Sequence, residues 1–241
     1  MNQIVLPIKG SESTYLVSPS KIVALGLNYR DHIAESQSVR VKGFEPEIPG
    51  EPILFPKGSN SLLPPDEPIV LPAFVDTYGF EDQRTDYEAE LAFIVGKTCK
   101  NITVESAYDC IFGFLCLNDV SQRNIQTGDK SGWYRGKSFD TFCPVGPTIV
   151  RISDVGDPQD LAITCRLNGD VVQQSNTKHM IFPIREIVSY ISKNFRLYEG
   201  DIITTGTPSG VGKLANGDVV EVEIENIGVL RNPVVAEQVA E

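Results

Sequence analysis

Three carboxylates, Glu88, Glu90 and Asp119, are the residues of this chain whose types and placement best suit chemistry. Glu88 and Glu90 open the stretch DYEAELAFIVG, and Asp119 closes the stretch CIFGFLCLND, so all three sit where apolar sequence begins or ends. Carboxylates gathered in a partly dry place repel one another, and desolvation adds to the cost. A hard divalent cation with oxygen ligands resolves that conflict. Glu88 and Glu90 stand two apart on an expected strand, which points both side chains to one face. The chain also holds an ordinary version of this spacing. In VEVEIEN, Glu221, Glu223 and Glu225 alternate with apolar residues, as on a half-buried strand with one solvated face. The earlier pair differs because AFIV follows at once, implying burial on both faces. On spacing alone, a metal site and a plain acidic strand both stay open, and Asp119 equally suits the start of a turn.

Histidine is scarce, with only His32 and His179 present. His32 and Glu35 lie three apart in NYRDHIAES and would share a helix face. A carboxylate beside an imidazole raises its basicity and suits it to take a proton from water. The same spacing fits an exposed helix with an incidental pair. Lys137, in WYRGKSFDTFCPVG, precedes an apolar strand. A partly buried ammonium there would stabilise a developing negative charge, whereas a strand-edge lysine would only discourage aggregation. The glycine-rich run Gly206 to Gly212 lacks the GK[ST] ending of a phosphate loop, and no long helix pattern follows it. A tight loop whose backbone approaches a small ligand is the better reading.

The elements that must position these groups are mostly strands. The first eighteen residues read as a short strand or hairpin around Gly10, and KIVALGLNY as a buried strand. A short helix is expected from Asn28 to about Ser36, capped by Asn28. Residues 37–50 mix charges, Gly and Pro without periodicity and read as a mobile loop. EPILFPKGSNSLLPPDEPIVLP is broken by Pro into short strands and turns. Strands follow in YEAELAFIVG, CIFGFLCLND and TFCPVGPTIV, with a helical turn or two between Thr103 and Cys110. Asn168-Gly169 within ITCRLNGDVVQQSN signals a hairpin. IFPIREIVSYISKNF is the best helix, with Ile184, Ile187, Val188 and Ile191 on one face. The chain ends in strands again, DIITTGTPSGVG and DVVEVEIENIGVLRNPVV. The expected fold is a single α+β domain, predominantly β, with one main helix.

Composition narrows the function classes. The chain has 241 residues, 41% of them apolar, enough for a substantial core. A formal net charge of -11 leaves no basic stripe to neutralise nucleic-acid phosphates or bind anionic membranes. Cys99, Cys110, Cys116, Cys143 and Cys165 have no metal-binding spacing and lie mostly in apolar runs, which favours buried thiols in a reducing cytoplasm. The N-terminus has no signal-peptide pattern, and no apolar run is long enough to span a bilayer.

Taken in order, the stretches GLNYRDHIAE, DYEAELAFIVGK, GFLCLNDVSQRNIQ, KSFDTFCPVGP, LNGDVVQ, GDIITTGTPSGVG and NGDVVEVEIENIGVLRNPV resemble the fumarylacetoacetate hydrolase family. They cover most of the chain and match its compact members, the acylpyruvases and 2-hydroxyhepta-2,4-diene-1,7-dioate isomerase-like proteins. The resemblance implies a β-rich roll of stacked mixed sheets with few helices, one catalytic domain over residues 1–241, and a homodimer. It implies that Glu88, Glu90 and Asp119 bind Mg²⁺ or Mn²⁺, with Ca²⁺ sometimes found in crystals. It further implies a His32–Glu35 dyad on a lid over residues 28–50. Lys137, Arg123 and Gln126 would face a small 2-oxo acid, and Thr207 in the TGTP turn would contact its carboxylate. FPKGSN departs from the Lys-Pro pair common in relatives, which leaves the role of Lys57 open.

The resulting expectation is a divalent-metal-dependent hydrolase that cleaves a carbon–carbon bond of an acylpyruvate or fumarylpyruvate through a metal-stabilised enolate. His32, oriented by Glu35, would activate water while Lys137 stabilises the enolate. The same chemistry allows oxaloacetate decarboxylation or tautomerisation, or isomerisation and decarboxylation of a hydroxymuconate. The non-enzymatic alternative is a metal-stabilised ligand-binding protein.

Overall fold

In the computed structural model, which describes residues 4–35, 48–128, 130 and 133–238 (the backbone only for 33–35), the strand Ala89–Val95 is buried along its whole length. Its alternate side chains serve two cores. Leu91, Phe93 and Val95 enter the larger one, while Ala92 and Ile94 enter the smaller. Apolar, β-branched and aromatic residues on both faces are what such a strand requires.

Around it runs a seven-stranded mixed sheet. From edge to edge the strands are Ile53–Lys57, Ile22–Gly26, Ile202–Thr204, Ala89–Val95, Ile111–Asn118, Cys143–Arg151 and Leu62–Leu63. A five-stranded sheet, built from Asp170–Asn176, Ala162–Leu167, Val219–Ile224, Gly228–Ala236 and Ile69–Leu71, packs on the larger core. The helix Ile184–Asn194 adds Ile184, Ile187, Val188 and Ile191 to that core. The molecule is thus α+β and predominantly β, with stacked mixed sheets and few helices.

Most of the expected local structure is present. Ile4–Pro7 pairs with Thr14–Val17 as an antiparallel hairpin. Asn168 and Gly169 have φ of 54° and 92°, the left-handed pair that a two-residue hairpin turn needs. The five cysteines are free and buried, and burial pushes the thiols of Cys99, Cys116, Cys143 and Cys165 up to about 12. No helix among the described residues is long and apolar enough to cross a membrane.

Two expectations need correction. Asn28 does not cap the short helix, which runs Arg30–Glu35. Its buried side chain instead accepts from the Phe182 N–H at 2.8 Å and donates to the Thr205 carbonyl at 2.8 Å, clamping two distant loops together. Glu88 and Glu90 do not share one continuous strand. The chain breaks at Glu88, between Ala89–Val95 and the strand Thr85–Tyr87, which pairs in a separate three-stranded sheet with Ser121–Gln122 and Gly212–Lys213. Of the lid expected over 28–50, residues 36–47 and the Glu35 side chain lie outside the described residues.

Candidate metal centre and active site

The break at Glu88 builds the site. Where Ala89–Val95 and Ile111–Asn118 end side by side, Asp119 N–H donates to the Glu88 carbonyl at 2.9 Å, and the Asn118 side chain accepts from Glu88 N–H at 2.9 Å. Ala89 N–H donates at 3.0 Å to the side chain of Gln173, a residue of the opposite sheet. Three carboxylates therefore converge from one side of the ladder ends. Oxygens of Glu88, Glu90 and Asp119, one from each, all lie within 4.8 Å of one another, and all three residues are buried.

The surroundings treat the three unequally. Asp119 receives the Lys57 ammonium at 2.6 Å on one oxygen and the Lys137 ammonium at 2.6 Å on the other. Glu88 accepts from Lys137 at 2.8 Å and from Arg123, which is itself held at 2.9 Å by buried Asp86. Burial alone would raise the Glu88 pKa, but Arg123 and then Lys137 outweigh it and hold the carboxyl well below its usual range. Glu90 has no ion pair among the described residues. One of its oxygens accepts from the Thr204 hydroxyl and, at 2.8 Å, from Gly206 N–H. Burial, followed by the charges of Asp119 and Glu88, pushes its pKa well above the usual range.

Gly206 is required here twice over. Its φ is +88°, and a Cβ would lie 2.8 Å from that of Asn28. Leu27 also takes a left-handed φ of 56° where the strand Ile22–Gly26 turns into the helix that carries His32. Leucine pays roughly 1–2 kcal/mol for that conformation, which is typical of chain held in place at a functional site.

Other buried atoms point to the same place. Glu90 Oε1, Tyr29 OH and Asn118 Nδ2 have no hydrogen-bond partner among the described residues. Burial, followed by the Glu90 charge, raises the Tyr29 phenol pKa well above its usual range. Orphaned buried polar atoms are rare in folded proteins and need an ion or water to complete them. An all-oxygen set with one uncompensated carboxylate fits a hard divalent cation, so these residues suit the metal that the sequence implies.

Beside the carboxylates lies a cavity of about 20 Å³, lined among others by His32, Glu88, Arg123, Gln126, Lys137 and Thr207. The fold thus brings together eight of the nine expected site residues, the ninth being Glu35. Lys137 sits on the helical turn Tyr134–Lys137, buried over the Phe55 ring, not on a solvent-exposed strand edge. Gln126 accepts from Arg123 at 3.0 Å. Thr207 donates its hydroxyl proton to the Ala89 carbonyl at 2.9 Å and accepts from Gln173 at 2.9 Å, so it meets a ligand as a fixed wall.

Several participants escape a reading of the sequence. Lys57 is fully involved, since its ammonium also donates to the Lys137 carbonyl. Its only local signal is a lysine inside an apolar strand. Asp86, which holds Arg123, is the first residue of the DYEAE motif, but nothing in its spacing separates it from a surface acid. Gln173 acts from the opposite sheet and Thr204 from the neighbouring strand, and neither leaves a local signal.

This arrangement sets three buried carboxylates, suited to an ion, beside a small cavity lined by an imidazole, an ammonium and a guanidinium. A family model described as Fumarylacetoacetate (FAA) hydrolase C-terminal matches residues 21–235. A mitochondrial oxaloacetate tautomerase of Xenopus laevis is 44% identical over 229 residues, spanning 91% of this chain and 67% of that protein. Fumarylpyruvate hydrolase from Pseudomonas aeruginosa, solved with Mn²⁺ and pyruvate, superposes with a TM-score of 0.83 at 30% identity, covering 98% of this chain and 97% of its own. 2-Hydroxyhepta-2,4-diene-1,7-dioate isomerase from Mycobacterium marinum gives a TM-score of 0.78 at 38% identity, covering 94% and 79%. The chain belongs to the fumarylacetoacetate hydrolase family and, like these relatives, is an enzyme.

Proposed function

We propose that this chain is a divalent-metal-dependent enzyme that enolises a short 2-oxo acid. The observation that carries the proposal is the shared cavity, which His32, Lys137, Arg123 and Gln126 line together with the metal-ligand candidate Glu88. Glu88, Glu90 and Asp119 would hold Mg²⁺ or Mn²⁺. When bound, such an ion supplies Lewis-acid charge for the oxygens of a 2-oxo acid.

The remaining chemistry rests on the chain's own groups. Lys137 presents its ammonium where negative charge develops on an enolate oxygen, in a dry setting that strengthens the interaction. Arg123, locked by Asp86 and Glu88, offers a fixed cationic wall to an anionic substrate. His32 is the cavity group suited to exchange a proton near neutral pH. Taking a proton from C3 of oxaloacetate and returning it at the other position interconverts keto and enol forms. Activating water at the distal carbonyl of an acylpyruvate leads instead to cleavage. The electron pair of the broken bond then passes to pyruvate C3, which is protonated, and a carboxylic acid leaves.

Between these outcomes, oxaloacetate tautomerisation stands first, because the tautomerase named above is the more similar relative. Acylpyruvate hydrolysis stands second, supported by the likeness to fumarylpyruvate hydrolase. This order inverts the one that the sequence alone suggests. A cytoplasmic homodimer, with residues 1–241 as one catalytic domain and residues 28–50 as its lid, completes the proposal.

A panel of oxaloacetate, fumarylpyruvate, acylpyruvates and a hydroxymuconate, run with Mg²⁺ or Mn²⁺ and with EDTA, tests it. Decay of oxaloacetate enol absorbance without pyruvate release supports tautomerisation, and pyruvate with a carboxylic acid supports hydrolysis. His32→Ala should cost about two to four powers of ten in rate while leaving metal affinity intact. No turnover of any 2-oxo acid with either metal would refute enolisation.

A further inference from the structure

Gln173 is the only buried residue of the strand Asp170–Asn176, whereas Val171, two places earlier, is 53% exposed. An amide inside and a valine outside reverse the usual order. The cause is a β-bulge. Arg166 stands opposite Val171 and Cys165 opposite Gln173, which leaves Val172 as an extra residue on this strand. Without the bulge, Val172 would stand opposite buried Cys165, and Gln173 would turn to the other face.

The bulge is met by an equally specific piece of loop. Gly210 has a φ of +94°, and a Cβ there would lie 2.1 Å from the Val172 carbonyl oxygen. Glycine lets the turn after Thr207 lie against the bulge.

The Gln173 amide then closes a ring of hydrogen bonds. Its oxygen accepts from Ala89 N–H at 3.0 Å, and its nitrogen donates to the Thr207 hydroxyl oxygen and the Pro208 carbonyl, each at 2.9 Å. Thr207 in turn donates to the Ala89 carbonyl at 2.9 Å. A turned-over amide would set oxygen against the Pro208 carbonyl and N–H against N–H, so one orientation alone satisfies the ring. With a proton arriving from Gln173, the Thr207 hydroxyl proton is committed to Ala89. None is left for a substrate carboxylate, and what Thr207 offers is a fixed place in the cavity wall.

We propose that Gln173 is a positioning residue of this site: from the opposite sheet it holds Thr207 in one orientation, so that a 2-oxo acid meets a wall already in place. The bulge at Val172 and the close approach of Gly210 bring it within reach. A wall held in advance needs no ordering when a ligand arrives, and one set free does. This role rests on the proposed function, because the ligand it serves is the 2-oxo acid.

Calorimetric titration of Mn²⁺, then of pyruvate into the Mn²⁺-loaded protein, tests it in wild type, Gln173→Met, Thr207→Val and the double variant. Gln173→Met should lose about tenfold in pyruvate affinity. Its Mn²⁺ affinity should stay within about threefold, because Glu88, Glu90 and Asp119 keep their own partners. Thr207→Val should lose a similar factor in pyruvate affinity, and the double variant no more than either one. Losses that multiply to about 100-fold in the double variant overturn action through Thr207. Unchanged pyruvate affinity in folded Gln173→Met overturns the positioning role and leaves the proposed function standing. A parallel loss of Mn²⁺ affinity overturns it too, since Gln173 would then support the metal ligands instead. Gln173→Asn gives a second route that does not depend on Gln173→Met folding. It keeps an amide but is one methylene too short to span Ala89 and Thr207 together, so it should show the same tenfold loss, and wild-type affinity there rejects the role. If wild type binds Mn²⁺ but neither binds nor turns over any 2-oxo acid, the proposed function fails and the positioning role fails with it.

Discussion

Two segments of this chain carry the same Glu-x-Glu spacing and do opposite things with it. In Val219–Ile224, Glu221 and Glu223 alternate with buried valines and stand partly in solvent, and Glu223 pairs with Arg166, itself about a third exposed. At the start of Ala89–Val95, Glu88 and Glu90 are 4% and 0% exposed, and Glu90 has no cation to pair with among the described residues. The exposed strand sits in a sheet with water on its outer face, so its acids cost nothing to keep. The buried one ends between two cores, where an uncompensated carboxylate costs several kcal/mol. An expense of that kind is retained where a ligand recovers it.

The comparison can be broken most forcefully at the cations. Lys57→Met removes one of the two ammonium groups on buried Asp119 and should destabilise the metal-free protein by about 3–5 kcal/mol, read by urea unfolding. Arg166→Met, on the exposed side, should cost no more than about 1 kcal/mol. Equal effects would mean that the two acidic segments are energetically alike.

Glu90→Gln sharpens the contrast in the other direction. It keeps an acceptor for Thr204 and Gly206 and removes a charge that repels Asp119 and Glu88. In EDTA near neutral pH it should stabilise the protein by about 1–3 kcal/mol. The sign follows from the raised pKa. Glu90 contributes stability when protonated, fully present below its unfolded pKa and lost as pH rises through its folded one. Metal-free wild type should therefore weaken as pH climbs above the ordinary carboxylate range, and Glu90→Gln should flatten that part of the profile. Glu88 works oppositely. Its lowered pKa contributes stability above the ordinary range, lost as pH falls through the folded value. The smallest effect belongs to Glu223→Gln, which should stay within about 0.5 kcal/mol at any of these pH values.

Much of the site could be read from the residues because its signals are local. The alternation in VEVEIEN, the unbroken apolar run after Glu90, the Asn168-Gly169 turn and the apolar stripe of Ile184–Asn194 each depend on a few neighbouring side chains. What escaped depends on contacts far apart in sequence. The break at Glu88 exists because Thr85–Tyr87 pairs with Ser121–Gln122 instead of extending the main strand. Lys57 reaches Asp119 only because Ile53–Lys57 lies along Ile22–Gly26 at the sheet edge. Asn28 looked like a helix cap because its neighbours allow one, yet a loop more than 150 residues away claims its side chain. The candidate metal set was legible for a different reason: spacing left Glu88, Glu90 and Asp119 open between a metal site and ordinary strand and turn acids, and the resemblance of the ordered motifs named them as ligands.

The most direct test of that claim is a calorimetric titration of Mn²⁺ into the wild type and Glu90→Gln, in two buffers of different ionisation enthalpy. The wild type should bind one ion and release part of a proton, because an ion favours the ionised form of Glu90, whereas burial and then the charges of Asp119 and Glu88 favour its protonated form without metal. Glu90→Gln should bind at least about 100-fold more weakly, with no proton release. Equal affinity and equal proton release in the two proteins would contradict the assignment of the buried carboxylates as a metal site.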